Sequence, residues 1–294
     1  MQANWNEIDA SLDYLVLDRQ AKVASVYASS LKNVKGQMAS LYEKHGELTF
    51  SEMVKYNRMQ QLEKNLTSEL KDMGKKVKSV TSEAIKTGFE DSYYKTGFMF
   101  ENHTGLNLGF SRIPKDQVNA ILDDPFDWKT KVVNNVTKLK ANIKDVIAKG
   151  LIQGVSYPKM AMMLTKRMKM GANDSMRIIR TEGHRAQVKG RLHGIERTES
   201  AAERLGVKTK RKWSSTSDDR TRSSHVSMNG KFTDKNDMFT FPSGLKTEGP
   251  GLSGDPGEDI NCRCQVQMIF EGYEPDVEAS KGMESRQGFA CLNG

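Results

Sequence analysis

Trp213-Ser-Ser-Thr-Ser-Asp-Asp-Arg-Thr-Arg-Ser-Ser-His225-Val-Ser-Met-Asn-Gly230 and, beyond a glycine- and proline-rich loop, Ile260-Asn-Cys-Arg-Cys264 form a split signature late in this chain. His225 lies too far from the cysteines in sequence for a local turn to join them, so only a folded domain can. The surrounding residues predict a small mixed unit. Val207 to Trp213 alternates like a strand. Ser217 is placed to cap a short helix from Asp218 to about Met228, ended by Asn229-Gly230. Lys231 to Thr233 and Met238 to Phe241 are short strand candidates. Pro242 to Asp259, with five glycines and three prolines, reads as a long loop. Cys264 to Phe270 is the clearest strand.

Upstream, the periodicity turns helical. Trp5, Ile8, Leu12 and Leu15 step by three and four, and Tyr27, Leu31, Val34, Met38 and Leu41 continue the rhythm to a stop at His45-Gly46. A second stripe runs from Met53 through Leu62, Leu66, Leu70, Met73, Val77 and Val80. Unbroken from Ser51 to Phe100, that helix would be about 75 Å long. Two such helices joined by a short turn predict an antiparallel hairpin whose narrow apolar seam needs a partner. Residues 102–127 read as a linker. Val132, Val136, Leu139, Ile143 and Val146 mark a helix ended by Gly150. Another starts with Ser156 as cap and Pro158 in its first turn, with Met160, Met163, Leu164, Met168 and Met170 on its apolar side.

A further helix is expected from about Ser175 to Leu205. Its Gly183, Gly190 and Gly194 fall along one stripe. Each costs a helix roughly 1 kcal/mol against alanine, so the stripe points to close helix packing. His184 and His193 lie near it without ligand partners at metal spacing, and read as polar surface or cap residues. The expected class is therefore α+β, predominantly helical: a long N-terminal hairpin (1–101), a linker (102–127), central helices with a small mixed C-terminal part (128–270), and a mobile acidic tail (271–294).

Composition sets outer bounds. The 294 residues can bury a sizeable core, yet they are 28% charged with a mean hydropathy of −0.63, which suits long solvent-exposed helices. No apolar run is long enough for a transmembrane span, and the N-terminus has no basic and apolar regions of a signal peptide. Three cysteines make no disulfide framework, and synthesis in a reducing cytosol follows. The net charge of +8 is uneven: Lys129 to Lys212 holds 21 Lys/Arg against 6 Asp/Glu, whereas the tail from Glu271 has five acids and two bases. Lys138, Lys140, Lys166, Arg167, Lys169, Lys208, Lys210, Arg211 and Lys212 are the candidates for nonspecific contact with double-stranded DNA.

The signature suggests three chemistries. His225, Cys262 and Cys264 offer three zinc ligands where structural sites want four, and the residue one helical turn before His225 is Arg222, a cation. On a straight strand the Cα atoms of Cys262 and Cys264 would stand roughly 6.5–7 Å apart, so the chain would have to bend at Asn261 or Arg263 to join their sulfurs. Buried thiols beside a hydrogen-bonded histidine are the simpler expectation, with no cofactor. Ser215-Thr-Ser217 is similar to an element of some ADP-ribosyltransferases, but no Glu-x-Glu or Gln-x-Glu follows it. A metal-dependent nuclease built on Asp218, Asp219 and His225 lacks a second carboxylate cluster, and adjacent aspartates at a helix start answer to the helix dipole. No phosphate-binding Gly-x-x-x-x-Gly-Lys-Ser/Thr loop occurs.

Taken in order, Arg180-Thr-Glu182, Gly206-Val, Lys212-Trp213, Asp219-Arg-Thr-Arg222 with His225, Asn229-Gly230 and Asn261-Cys-Arg-Cys264 resemble the phage Mu F-like head morphogenesis family of minor capsid proteins. The resemblance spans about Trp128 to Phe270. It implies a head-morphogenesis domain there, with Trp213, Asp219, Arg220, Arg222, His225, Gly230, Asn261 and Arg263 as structural motif residues and no catalytic ones. It implies a virion component of few copies, made in the host cytoplasm and placed in the capsid interior near the portal vertex. The portal protein is the implied partner, with scaffold or major capsid protein as further candidates and no membrane. Some relatives carry cysteines at the positions of Arg222 and His225, which would complete a four-ligand site with the Cys-Arg-Cys pair. This chain departs from them at Arg222.

Overall fold

The structure, a computed structural model, describes residues 2–45, 58–105, 107–108, 110, 112–123 and 127–271. The elements in chain order are α1 (Gln2–His45), α2 (Arg58–Thr104), α3 (Lys115–Leu122), α4 (Trp128–Ile152), α5 (Tyr157–Arg204), β1 (Thr209–Ser214), α6 (Ser223–Val226), β2 (Phe239–Thr240), β3 (Lys246–Thr247), α7 (Pro256–Asp259) and β4 (Gln265–Phe270). The fold is predominantly helical α+β. No helix among the described residues is long and apolar enough to cross a membrane. The expected helix start at Ser51 and the acidic tail beyond Glu271 lie outside the described residues.

Contacts divide the chain into two compact units, and α1, α2 and α5 each contribute to both. One unit is helical and draws on α1 from Arg19, α2 to Thr81, α4, and α5 to Ile178. The apolar stripes of the sequence form its core, with Val23, Val34, Leu70, Val77, Ile143 and Leu164 buried. One buried polar cluster there is mutually paired: the Asn135 amide donates to the Gly171 carbonyl at 2.8 Å and to Ser175 Oγ, which also meets the Tyr27 hydroxyl at 2.9 Å. Of the methionine group, Met160 and Met168 are buried, whereas Met163 and Met170 are exposed.

The other unit joins the start of α1, the end of α2, and α5 from Ile179 to the small mixed part. Here α1 and α2 run antiparallel: Trp5 meets Phe100 edge-on, and Lys95 donates to Ser11 Oγ. The glycine stripe lets α5 approach α2 closely. A Cβ at Gly190 would stand 2.2 Å from the Phe89 carbonyl oxygen, and one at Gly194 3.0 Å from the Thr96 side chain. One core, including Trp5, Leu12, Val188, Trp213, Phe239 and Val266, unites the helices with the mixed part. β1 pairs antiparallel with β4, from Thr209 opposite Phe270 to Ser214 opposite Gln265, and β2 pairs antiparallel with β3.

Several local expectations change. The helices expected from Ser156 and Ser175 are one, α5, which continues through Gly171. The linker contains α3, a short helix with Val118 buried. The segment from Asp218 folds as a turn before a four-residue helix, because Asp218 is held by Arg263 and Thr221 bonds back to the Thr216 carbonyl. Phe232 forms an isolated bridge with Lys212 rather than a strand. His184 is 5% exposed, so it is a core residue and not a surface one, whereas His193 is exposed.

Two glycine substitutions separate packing from helix propensity. Gly190→Ala is expected to destabilise the protein by about 1–3 kcal/mol or more, since the Phe89 backbone must move. Gly36→Ala, in α1 with nothing within 4 Å, is expected to stabilise by about 1 kcal/mol. Urea unfolding midpoints check both. A neutral or stabilising Gly190→Ala would contradict the close α2–α5 contact.

Candidate functional site: a buried histidine and two cysteines

The first half of the signature is anchored at the end of β1. Gly230 N–H donates to the Trp213 carbonyl, and Ser215 N–H to Asn229 Oδ1. The Ser215 hydroxyl donates to the His225 carbonyl, fixing α6 against the strand end. The Trp213 ring, 1% exposed, stands edge-on to the His225 ring at 5.8 Å, with Phe241 also against the imidazole.

The second half is shaped by α7 and the turn after it. Asp255 caps α7 and Pro256 opens it, an ordinary helix-start pattern inside what reads as loop. Asp259, 2% exposed, accepts from Ser253 N–H and Oγ, from Gly254 N–H and from the Arg185 guanidinium. Asn261 then takes a left-handed φ of 58°, which asparagine tolerates better than most residues. That left-handed turn lies just before Cys262 and leads into irregular chain at residues 262–264. Cys262 and Cys264 precede β4 instead of lying along a straight strand, and both sulfurs face the same imidazole nitrogen. His225 Nδ1 is 3.3 Å from Cys264 Sγ and 3.6 Å from Cys262 Sγ. On the other side of the ring, Nε2 meets Glu258 Oε2 at 2.9 Å, and Ser224 Oγ donates to the same carboxylate oxygen. His225, Cys262 and Cys264 are each 2% exposed.

The surrounding charges hold the turn in place. Arg222 donates to the backbone carbonyls of Glu258 and Ile260, so this cation braces the loop that brings Glu258 to His225. Arg263 donates twice to Asp218, and that hydrogen bond holds the Asp218 carboxyl far below the usual carboxylate range. Burial pushes the Cys262 thiol up. The hydrogen bond from Cys262, helped by the one from His225, brings the Cys264 thiol down despite its burial. Burial opposes charge on His225, but the Cys264 hydrogen bond and charge, with Glu258, outweigh it and raise its pKa.

Other sequence candidates scatter. Asp219 and Arg220 are exposed, and Arg220 pairs with Asp218. Among the DNA candidates, Lys138, Lys166 and Lys208 are exposed, and Lys140, Arg167 and Lys169 partly so. Arg211 is a correction: it is 7% exposed and doubly bonded to Glu199, so its guanidinium is unavailable to a phosphate. Lys210 pairs with Glu271, and the Lys212 ammonium sits over the Phe232 ring. Arg185 and Arg191, counted in the basic block, are core residues paired with Glu182 and Asp259 and with Asp9. The residue that sequence reasoning missed is Glu258. Its only signal was the Asp255-Pro256 helix start.

The site has a pH signature one layer away. Burial, with the charges of Arg191 and Arg185, pushes the His184 imidazole down to about 3. The unfolded chain, with imidazole near 6.5, then binds this proton first. The contribution of His184 to stability is complete above pH 6.5 and is lost as pH falls toward 3. Between pH 7 and 5 that loss amounts to about 2 kcal/mol. Urea unfolding of the wild type and His184→Gln at both pH values should show a smaller loss in the variant. Equal losses would contradict the assignment.

Residues 141–267 match the family described as Phage Mu protein F like protein. The chain is 32% identical over 288 residues to the minor head protein GP7 of Bacillus phage SPP1, covering 95% of this chain and 91% of that protein. It is also 26% identical over 289 residues to the NAD(+)–arginine ADP-ribosyltransferase EFV of Enterococcus faecalis, covering 97% of this chain but 56% of that protein's length. No solved structure matches. On this similarity along nearly its whole length, the chain belongs to the phage Mu F-like family of minor head proteins.

Proposed function

We propose that this protein is a minor capsid component that enters the procapsid in few copies through contact with the portal, and there aids head assembly and the packaging and ejection of DNA. The observation that carries the reading is the 32% identity to a phage minor head protein over 95% of the chain. The virion is its site of action, at the capsid interior near the portal vertex, after synthesis in the host cytoplasm. Scaffold or major capsid protein are further partners on this reading.

Surface chemistry supports a binding role. Tyr14 and Phe98 are 60% and 66% exposed, and Leu17 and Tyr94 are also exposed, all in the unit that carries the signature. Large apolar side chains left open to water favour a protein partner. Lys138 and Lys166 stand on the helical unit with their ammonium groups in solvent, available for phosphate attraction that needs no base readout. A transferase role finds no support in the Ser-Thr-Ser element: Ser215 and Thr216 are buried, with their hydroxyls donating to the His225 and Arg263 carbonyls. Asp218, the carboxylate a nuclease would need, is neutralised by Arg263.

Co-expression with the portal protein of the same phage tests the partner. A stable complex is expected that Tyr14→Ser with Phe98→Ser weakens at least tenfold. Absence of the protein from both portal complexes and virions would sink the reading. For DNA, binding should fall steeply with salt, and Lys138→Gln with Lys166→Gln should lower the log–log slope by about 2. Salt-insensitive binding, or none at low salt, would remove the DNA contact.

A further inference from the structure

His225, Cys262 and Cys264 are the described residues whose donor atoms gather as a metal site would require, all within 4.8 Å of one another. The distances fit a tetrahedral ion. With metal–sulfur and metal–nitrogen bonds of about 2.3 and 2.0–2.1 Å, a sulfur and a nitrogen on one tetrahedral ion stand about 3.6 Å apart. The observed separations are 3.3 and 3.6 Å. The outer contacts fit as well. Glu258 at Nε2 sets the ring so that Nδ1 faces the sulfurs, the carboxylate–histidine arrangement that orients metal-bound imidazole. The Arg222 guanidinium bonds the Glu258 and Ile260 carbonyls and so braces the turn that carries these donors.

We propose that His225 Nδ1, Cys262 Sγ and Cys264 Sγ bind one zinc ion, with Glu258 as the positioning residue on Nε2. Two thiolates and an imidazole are a soft donor set that selects zinc over magnesium or calcium. Three protein ligands leave one position of a tetrahedral ion for a water or another small donor. The ion ties α6 to the turn that opens β4, so its binding adds directly to folding.

The purified full-length protein, prepared without chelator, should carry one zinc per chain by elemental analysis and native mass spectrometry. Replacement by cobalt(II) should give the intense thiolate-to-cobalt absorption of a tetrahedral site. Cys262→Ser, Cys264→Ser and His225→Asn should each lose the stoichiometric ion. Cys291→Ser should keep it, and Glu258→Gln should keep the ligands while weakening affinity 10–100-fold. The proposal is overturned if folded wild-type protein binds neither zinc nor cobalt, if Cys262 and Cys264 are joined in a disulfide, or if the ion survives all three ligand substitutions. Should those variants fail to fold, the cobalt spectrum of the wild type still decides between two coordinated thiolates and none.

Discussion

The Arg185 guanidinium, nearly buried in α5, is the charge on which the signature depends. It donates to the Gly251 carbonyl at 2.8 Å, to Asp259 at 3.2 Å and to Glu182. A charge removed from water needs such partners, and losing one leaves the others uncompensated at a cost of about 3–5 kcal/mol. Asp259 also holds the backbone N–H groups of Ser253 and Gly254. The loop is thereby tied to the helix at one point, from which Glu258 reaches His225 and the Asn261 bend presents the cysteines. The long helix thus acts as the template on which the small mixed part folds.

Helical periodicity made most of the fold legible. Most of the stripes from Trp5 to Met38 and from Leu62 to Val77 is buried as its spacing implies, with Leu15 and Leu31 only half-buried. What local pattern missed was decided by tertiary contact. Gly171-Ala-Asn-Asp reads as a break, yet α5 runs through it because Leu139 and Tyr27 fill the space beside Gly171 and Asn135 bonds its carbonyl. A glycine that costs helix propensity is retained where two side chains occupy the place of its missing Cβ. The glycine stripe of α5 was readable for the same reason at Gly190 and Gly194, whereas a Cβ at Gly183 would make only ordinary contact with Val16.

The site was half legible. Its three donors are visible in sequence, but straight-strand geometry sets the sulfurs apart, whereas residues 262–264 lie in irregular chain before β4. An irregular path braced by contacts from Asp259 and Arg222 lies outside any periodicity argument. Charge counting failed in the opposite way. The basic block is real in sequence, but Arg185, Arg191 and Arg211 face inward onto Glu182, Asp259, Asp9 and Glu199. The exposed cationic surface is therefore smaller than the net charge suggests, and its exposed cations are mostly lysines. That suits nonspecific phosphate attraction better than bidentate recognition.

The central claim is that α5 organises the signature through Arg185. Hydrogen exchange by mass spectrometry on Arg185→Leu tests it most directly. The account predicts that amides of β1, α7 and β4 lose protection while those of α4 and of α5 before Ile178 keep theirs. Unchanged protection across residues 209–271 in a folded variant would contradict it.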